Sequence, residues 1–179
     1  MPLPMNDYTD TFLRVRYAET DQMGFVYYGN FYTYFEVGRV EYMRQRGVEY
    51  KQMEIQDESY IVVAESSCRY QRPARYDDPL RIRTRVTELK RRTIRFAYEV
   101  THETTGELLA TGETLHVVCD THGRPKTLPE KYRQAFGNGA AEQPARARAI
   151  SPSPYASASN RKAPRRKPAG SAKGASSSE

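Results

Sequence analysis

Asp21 is the residue of this chain whose setting best suits acid–base or nucleophilic chemistry. It stands in the stretch RVRYAETDQMGFVYYGNFYTYFE, residues 14–36. There it occupies a short loop, as that loop's only carboxylate, between a strand-like segment and an apolar segment that reads as a long helix from Asn30. A carboxylate so placed can activate water as a general base or attack an electrophile itself. Backbone N–H groups at the start of the helix, at Tyr28 and Gly29, can receive the charge that develops on an oxygen, and the helix dipole adds to that effect. The same loop admits a plainer role, because Asp in a Gly-containing loop commonly caps a turn. On the residues alone both roles stay open.

The elements that must hold the loop follow from pattern. Thr11–Ala18 alternate and read as a half-exposed strand leading into it. Asn30 to Arg46 contain no Pro, with Asn30 suited to the N-cap and Gly47 to the position just past the C-terminus. This helix carries Phe31, Tyr32, Tyr34, Phe35, Val37, Val40, Tyr42 and Met43 on most of its sides, which predicts that it is buried. Glu36 then needs a partner, and Arg39, three residues on, is the expected one. Tyr60–Tyr70, Leu80–Lys90, Thr93–Thr101 and Leu108–Cys119 are rich in Val, Ile, Thr and Tyr and read as strands. Arg91–Arg92 and Thr104–Glu107 mark tight connections between them, and Pro73–Pro79 a longer bend. Short connections make the sheet mainly antiparallel, and a short helix over Pro129–Phe136 closes the body. One strand, one long helix and a run of antiparallel strands belong to the α+β class.

Tyr17, Thr20-Asp21, Gly24, Val26-Tyr27-Tyr28, Asn30-Phe31 and Phe35-Glu36 resemble, in order and spacing, the active-site segment of the hotdog-fold acyl-CoA thioesterases. The likeness is to the 4-hydroxybenzoyl-CoA thioesterase family, including its Tol-Pal-associated acyl-CoA thioesterases. It covers roughly residues 8–136 and is specific mainly within 14–36. It implies a curled antiparallel sheet wrapped around one long helix, and hydrolysis of an acyl-CoA thioester with Asp21 as the catalytic carboxylate. Such a site hardly needs a general acid, since a thiol of pKa about 8.5 leaves readily as thiolate. Several branches of the family carry a histidine seven residues after the aspartate. Here that position is Tyr28, which removes an imidazole from the mechanism but keeps the backbone donor. Phe25 likewise stands where relatives often have Ile or Val.

The resemblance also suggests that Tyr17 and Asn30 position substrate, beside their plainer roles as a core or interface tyrosine and a helix cap. Lys90, Arg91, Arg92 and Thr93 at a hairpin bend are candidates for coenzyme A phosphates, or simply a solvated basic turn. No cofactor is expected beyond the coenzyme A of the substrate. A homodimer or homotetramer is expected, with the Asp21 loop of one subunit facing strands of another. Two other readings compete. A dehydratase or hydratase on the same fold would pair a carboxylate with a nearby histidine, and His102, His116 and His122 are all remote in sequence from Asp21. A non-catalytic acyl-thioester or partner-binding module would keep the pocket without the chemistry.

Composition bounds these readings. With 38% hydrophobic and 28% charged residues and no apolar run approaching about 18 residues, the chain reads as a soluble globular protein. MPLPMNDYTD has neither a basic start nor an apolar core, so a cytoplasmic location is expected. Cys68 and Cys119 form neither a disulfide framework nor a zinc pattern and read as buried small hydrophobes, and no metal site is expected. The net charge of +6 lies wholly within 138–179, where eight basic residues face two acids; 1–137 carries 20 of each sign. The chain thus divides into a folded body over 1–137 and an Ala/Ser/Pro/Lys/Arg-rich tail over 138–179. The tail is too poor in large apolar side chains to fold, and is either solubilising or able to touch nucleic acid or anionic lipid.

Overall fold

Between Gly29 and Gly47 the chain winds into one helix, α1 (Asn30–Gln45). The computed structural model, which describes residues 8–137, lays α1 against one face of a five-stranded antiparallel sheet. The strands are β1 (Thr9–Arg14), β2 (Tyr60–Tyr70), β3 (Pro79–Leu89), β4 (Thr93–His102) and β5 (Leu108–Cys119), in spatial order β1-β3-β4-β5-β2. Helices α2 (Tyr50–Asp57) and α3 (Glu130–Gly137) complete this α+β architecture. The basic tail expected over 138–179 lies outside the described residues. No helix among the described residues is long and apolar enough to cross a membrane.

The end of α1 is built by its glycine. Gly47 adopts φ +73°, its N–H donates to the Arg44 carbonyl and the Val48 N–H to the Met43 carbonyl, each at 3.0 Å. That pair of bonds is a Schellman closure, which favours glycine at the left-handed position. Two further glycines set how closely the helix and sheet approach. A Cβ on Gly38 would lie 2.6 Å from Thr84 Oγ1 and 2.8 Å from Ile82 Cγ2, so α1 rests directly on β3. A Cβ on Gly112 of β5 would lie 2.3 Å from the Phe35 ring, which fills that gap and stacks on Tyr98 with centroids 4.5 Å apart.

The structure corrects several expectations. α1 is one-sided: Phe31, Tyr34, Phe35, Gly38, Tyr42 and Met43 are buried, while Tyr32, Glu36 and Val37 face outward. Glu36 is therefore exposed and makes no ion pair with Arg39, which turns inward to the Tyr98 hydroxyl at 3.3 Å. The first strand ends at Arg14 rather than Ala18, because the Glu19 side chain accepts the Arg16 backbone N–H and tightens Tyr17–Glu19 into a 3-10 turn. Nothing in the sequence pattern announces α2, whose only fully buried side chain is Met53. β2, β3, β4 and β5 begin and end within one residue of their expected limits. β2 lies beside β5 at the edge of the sheet, with 71–78 carrying the chain across to β3. Cys119 is buried as expected, but Cys68 is only half-buried.

The core holds a polar chain on its helix-facing side. From Arg39 it runs through the Tyr98 hydroxyl to Thr114 Oγ1 (2.8 Å) and on to His116 Nε2 (2.9 Å), while His116 Nδ1 meets the Ile61 carbonyl at 3.4 Å. Burial, helped by the charge of Arg39, pushes His116 from 6.5 down to about 4. The unfolded chain takes up this proton as the pH falls below 6.5, and the folded chain only near 4. Over that window the unfolded state binds more protons, so stability should decline on acidification, by at most a few kcal/mol. His116→Gln should flatten this part of the Tm-versus-pH curve. Parallel curves for variant and wild type between pH 6.5 and 4 would show that His116 is not held neutral.

Candidate active site

Asp21 sits at the tip of a small hairpin between the 3-10 turn and α1. Thr20 and Val26 pair across it, and Phe25 pairs with Arg75 on the segment that leads into β3. The Asp21 N–H donates to the Phe25 carbonyl at 2.8 Å, and the Gly24 N–H to the Asp21 carbonyl at 2.9 Å. Gly24 turns the tip at φ +76°, where a side chain would be strained. Asp21 Oδ1 accepts the N–H groups of Met23 at 2.8 Å and Phe25 at 3.3 Å. The turn-capping role is thus real, but it occupies a single oxygen. Oδ2 has no protein partner among the described residues, and the side chain is only partly exposed.

The hairpin is joined to the helix through Glu19, a second carboxylate in a loop that the sequence credits with only one. Glu19 is 7% exposed. Its Oε1 accepts Arg16 Nε at 2.8 Å, and its Oε2 accepts the Arg16 backbone N–H at 2.9 Å and the Tyr34 hydroxyl at 2.8 Å. Burial works to raise the Glu19 carboxyl, but the hydrogen bonds from Arg16 and Tyr34 together with the Arg16 charge outweigh it and hold the group below its ordinary range. The Tyr34 hydroxyl is correspondingly pushed up, first by burial and then by Glu19. The Glu19 backbone carbonyl accepts the Tyr27 N–H and Asn30 Nδ2, each at 2.8 Å. A visible signal does point to this residue: Arg16 and Glu19 follow the strand at a spacing of three. The partner hydroxyl fifteen residues on, in α1, has no such signal.

At the start of α1 the expected roles are partly exchanged. Gly29, not Asn30, occupies the N-cap position, and Asn30 is the first helical residue, its amide spent on the Glu19 carbonyl. Among the described residues the N–H groups of Tyr28 and Gly29 donate to no backbone or side-chain acceptor, whereas the Asn30 N–H donates to Tyr27 at 2.9 Å. Such free donors at a helix N-terminus favour negative charge. The Tyr28 carbonyl is fixed from the other side by the Tyr70 hydroxyl at 3.1 Å. A Cβ on Gly29 would come within 3.0 Å of the Tyr27 ring, so any larger residue there would press on the tilted pair of rings formed by Tyr27 and Tyr28, whose centroids are 4.5 Å apart.

Two sets of expected residues stand apart from this cluster. The Tyr17 ring is 79% exposed and lies edge-on to Tyr76, so it is not a core tyrosine. The Lys90–Thr93 hairpin joins β3 to β4 at the end of the sheet opposite Pro79, the end beside which the Asp21 loop sits. A strand of eleven residues, about 33 Å, separates the two within one chain. Arg91 Nε donates to Thr127 Oγ1 at 3.0 Å, and the Arg91 and Arg92 carbonyls accept Leu128 and Val118 N–H groups, so the hairpin backbone also braces the C-terminal segment. Among the described residues no group of three or more His, Cys, Asp or Glu side chains could hold a metal ion.

Residues 15–136 match the family model described as the thioesterase-like superfamily. The chain is 30% identical over 126 residues to the acyl-CoA thioesterase YbgC of Haemophilus influenzae, covering 69% of this chain and 90% of that one. Among solved structures, the Thermus thermophilus protein TT1821 is similar at 33% identity and TM-score 0.70, covering 75% of this chain and 99% of its own. The DHNA-CoA thioesterase of Staphylococcus aureus is similar at 31% identity and TM-score 0.70, covering 73% and 89%.

Proposed function

This hotdog-fold chain belongs to the thioesterase-like superfamily, and we propose that it hydrolyses acyl-CoA thioesters to the free acid and coenzyme A, with Asp21 as the reacting carboxylate. The observation that carries the reading is that one short segment, 21–29, holds both an uncommitted carboxylate oxygen and two uncommitted backbone N–H groups. Asp21 holds its loop with Oδ1 and keeps Oδ2 for a water molecule or the thioester carbon. The Tyr28 and Gly29 N–H groups, on the return arm of the same hairpin, are available for the carbonyl oxygen as it gains charge. The thiolate departs without an acid, because the conjugate base of a thiol of pKa about 8.5 is a weak enough base to leave unprotonated. General-base and nucleophilic roles for Asp21 are both compatible with this geometry. A purely binding module is the competing reading, and it requires nothing of the Asp21 carboxylate beyond its turn.

The site is read as completed by a second copy of the chain. β2 is an edge strand of eleven residues with Val62 and Val63 each half exposed, a surface that soluble proteins cover. Pairing β2 with itself about a two-fold axis is antiparallel, so the start of one β2 meets the end of the other. That brings the Lys90–Thr93 hairpin of the second copy to the end of the sheet where the first holds Asp21. Arg91 and Arg92 then become candidates for the coenzyme phosphates across the interface, with Thr93 behind them. The exposed Tyr17 remains a candidate substrate contact. Asn30 is a weaker one, with its side chain engaged at Glu19.

Asp21→Asn keeps an oxygen for the Met23 and Phe25 N–H groups, so the variant should fold while its kcat falls by about 10²–10⁴-fold. KM should change little where chemistry is slow relative to substrate release. Tyr28→Phe, which leaves the backbone donor intact, should cost far less. Steady-state assays across acyl-CoA chain lengths, read by free thiol, test this. Near wild-type turnover in folded Asp21→Asn would refute the role of Asp21, and equal damage from Tyr28→Phe would bring the phenol into the reaction. Light scattering should give at least a dimer, and Arg91→Ala with Arg92→Ala should raise KM severalfold at nearly constant kcat. A fully active monomer would remove the shared site.

A further inference from the structure

We infer that Glu19 is the positioning residue of this site, the side chain through which α1 holds the Asp21 hairpin at the fixed distance that the reaction needs. The inference rests on the reading of Asp21 as the reacting carboxylate and adds to it the group that aims it. Glu19 lies two residues before Asp21, and its carbonyl takes the Tyr27 N–H from the return arm and Asn30 Nδ2 from the first turn of α1. The same residue therefore ties the outgoing arm, the return arm and the helix start. Its carboxylate anchors that knot from below. Tyr34, one turn into α1 and 2% exposed, donates its hydroxyl to Oε2, and Arg16 donates from both its backbone and its guanidinium. Every donor facing the carboxylate is an N–H or O–H group, so only an acceptor at both oxygens satisfies the pocket.

The substituted forms follow from that donor set. Glu19→Gln is nearly isosteric but offers an NH₂ group to donors on one side, so one anchor must break or swing. Glu19→Asp keeps both acceptors and withdraws them by one methylene. Tyr34→Phe removes a single hydroxyl and leaves the ring packed against Phe31, 5.7 Å between centroids. None of these changes touches Asp21, Tyr28 or Gly29. A misaimed carboxylate loses rate without losing substrate affinity, and an ångström of misplacement is worth up to about 10²-fold.

Single and double variants with Asp21→Asn, assayed for kcat and KM on the best acyl-CoA and checked for native circular dichroism, provide the test. Glu19→Gln should lower kcat about 10- to 100-fold with KM within about twofold. Glu19→Asp should recover part of that loss, and Tyr34→Phe should move in the same direction by a smaller factor. In the Asp21→Asn background the Glu19→Gln effect should shrink to less than about threefold, because the group being aimed is already gone. A merely structural Glu19 would lower Tm in both backgrounds and leave the kcat factors multiplicative. Where Glu19→Gln does not fold, the Tyr34→Phe and Asp21→Asn pair carries the same comparison. Wild-type kcat in folded Glu19→Gln or Tyr34→Phe, or full multiplicativity, would overturn the inference. Wild-type kcat in Asp21→Asn itself would instead sink the reading of Asp21, so the two failures are distinct.

Discussion

One carbonyl oxygen, that of Glu19, accepts hydrogen bonds from both the Tyr27 N–H and the Asn30 side chain, and the candidate site depends on this double acceptance. A backbone carbonyl has two acceptor positions, and burial makes leaving either unmet costly. Filling both locks the end of the 3-10 turn to the return arm of the hairpin and to the first residue of α1. With those fixed, the Asp21 turn has little freedom left, since Phe25 and Val26 are also bonded to the segment before β3. The Tyr28 and Gly29 N–H groups, at the start of α1 where no intrahelical carbonyl precedes them, meet no acceptor among the described residues.

This local knot needs a rigid base, and the helix–sheet contact supplies it. Gly38 lets the α1 backbone settle onto Ile82 and Thr84, and Gly112 opens the sheet for the Phe35 ring. Close packing of this kind transmits position along the helix rather than absorbing it. Beyond Phe35 the buried face continues through Tyr42 and Met43 to the Gly47 closure, so both ends of α1 are anchored. On the opposite side the helix presents Tyr32 and Val37, and the sheet ends in the half-exposed β2.

Much of the architecture is legible in the residues, and the misses have physical causes. Runs of Val, Ile, Thr and Tyr between turn formers locate β2 to β5 to within a residue, because side-chain packing on a pleated surface selects those residues directly. The layout of loop followed by helix in residues 14–36 is equally plain. α2 escapes because it buries little and ends on Glu58, held at φ 45°, rather than on a glycine. The overrun of β1 reflects a competition that alternation does not record, between a strand ladder and a side chain that captures its own backbone. Glu36 and Arg39 have the spacing of an ion pair, yet one faces solvent and the other a tyrosine across the core. Glu19 is the most instructive miss. A charged residue at the end of a half-exposed strand reads as solvated, and only the arrival of Tyr34 from α1 makes it an interior anchor.

In the proposed mechanism a thioester carbonyl seats its oxygen on the Tyr28 and Gly29 N–H groups with its carbon facing Asp21. The most direct measurement is the backbone amide spectrum of the ¹⁵N-labelled protein, titrated with an acyl-CoA analogue in which methylene replaces sulfur and the carbonyl is kept. The Tyr28 and Gly29 amides should move downfield most, as they acquire an acceptor, and the Asp21–Phe25 amides should shift with them. Binding of the analogue with those two amides unmoved, and the largest changes on another part of the sheet, would contradict that mechanism.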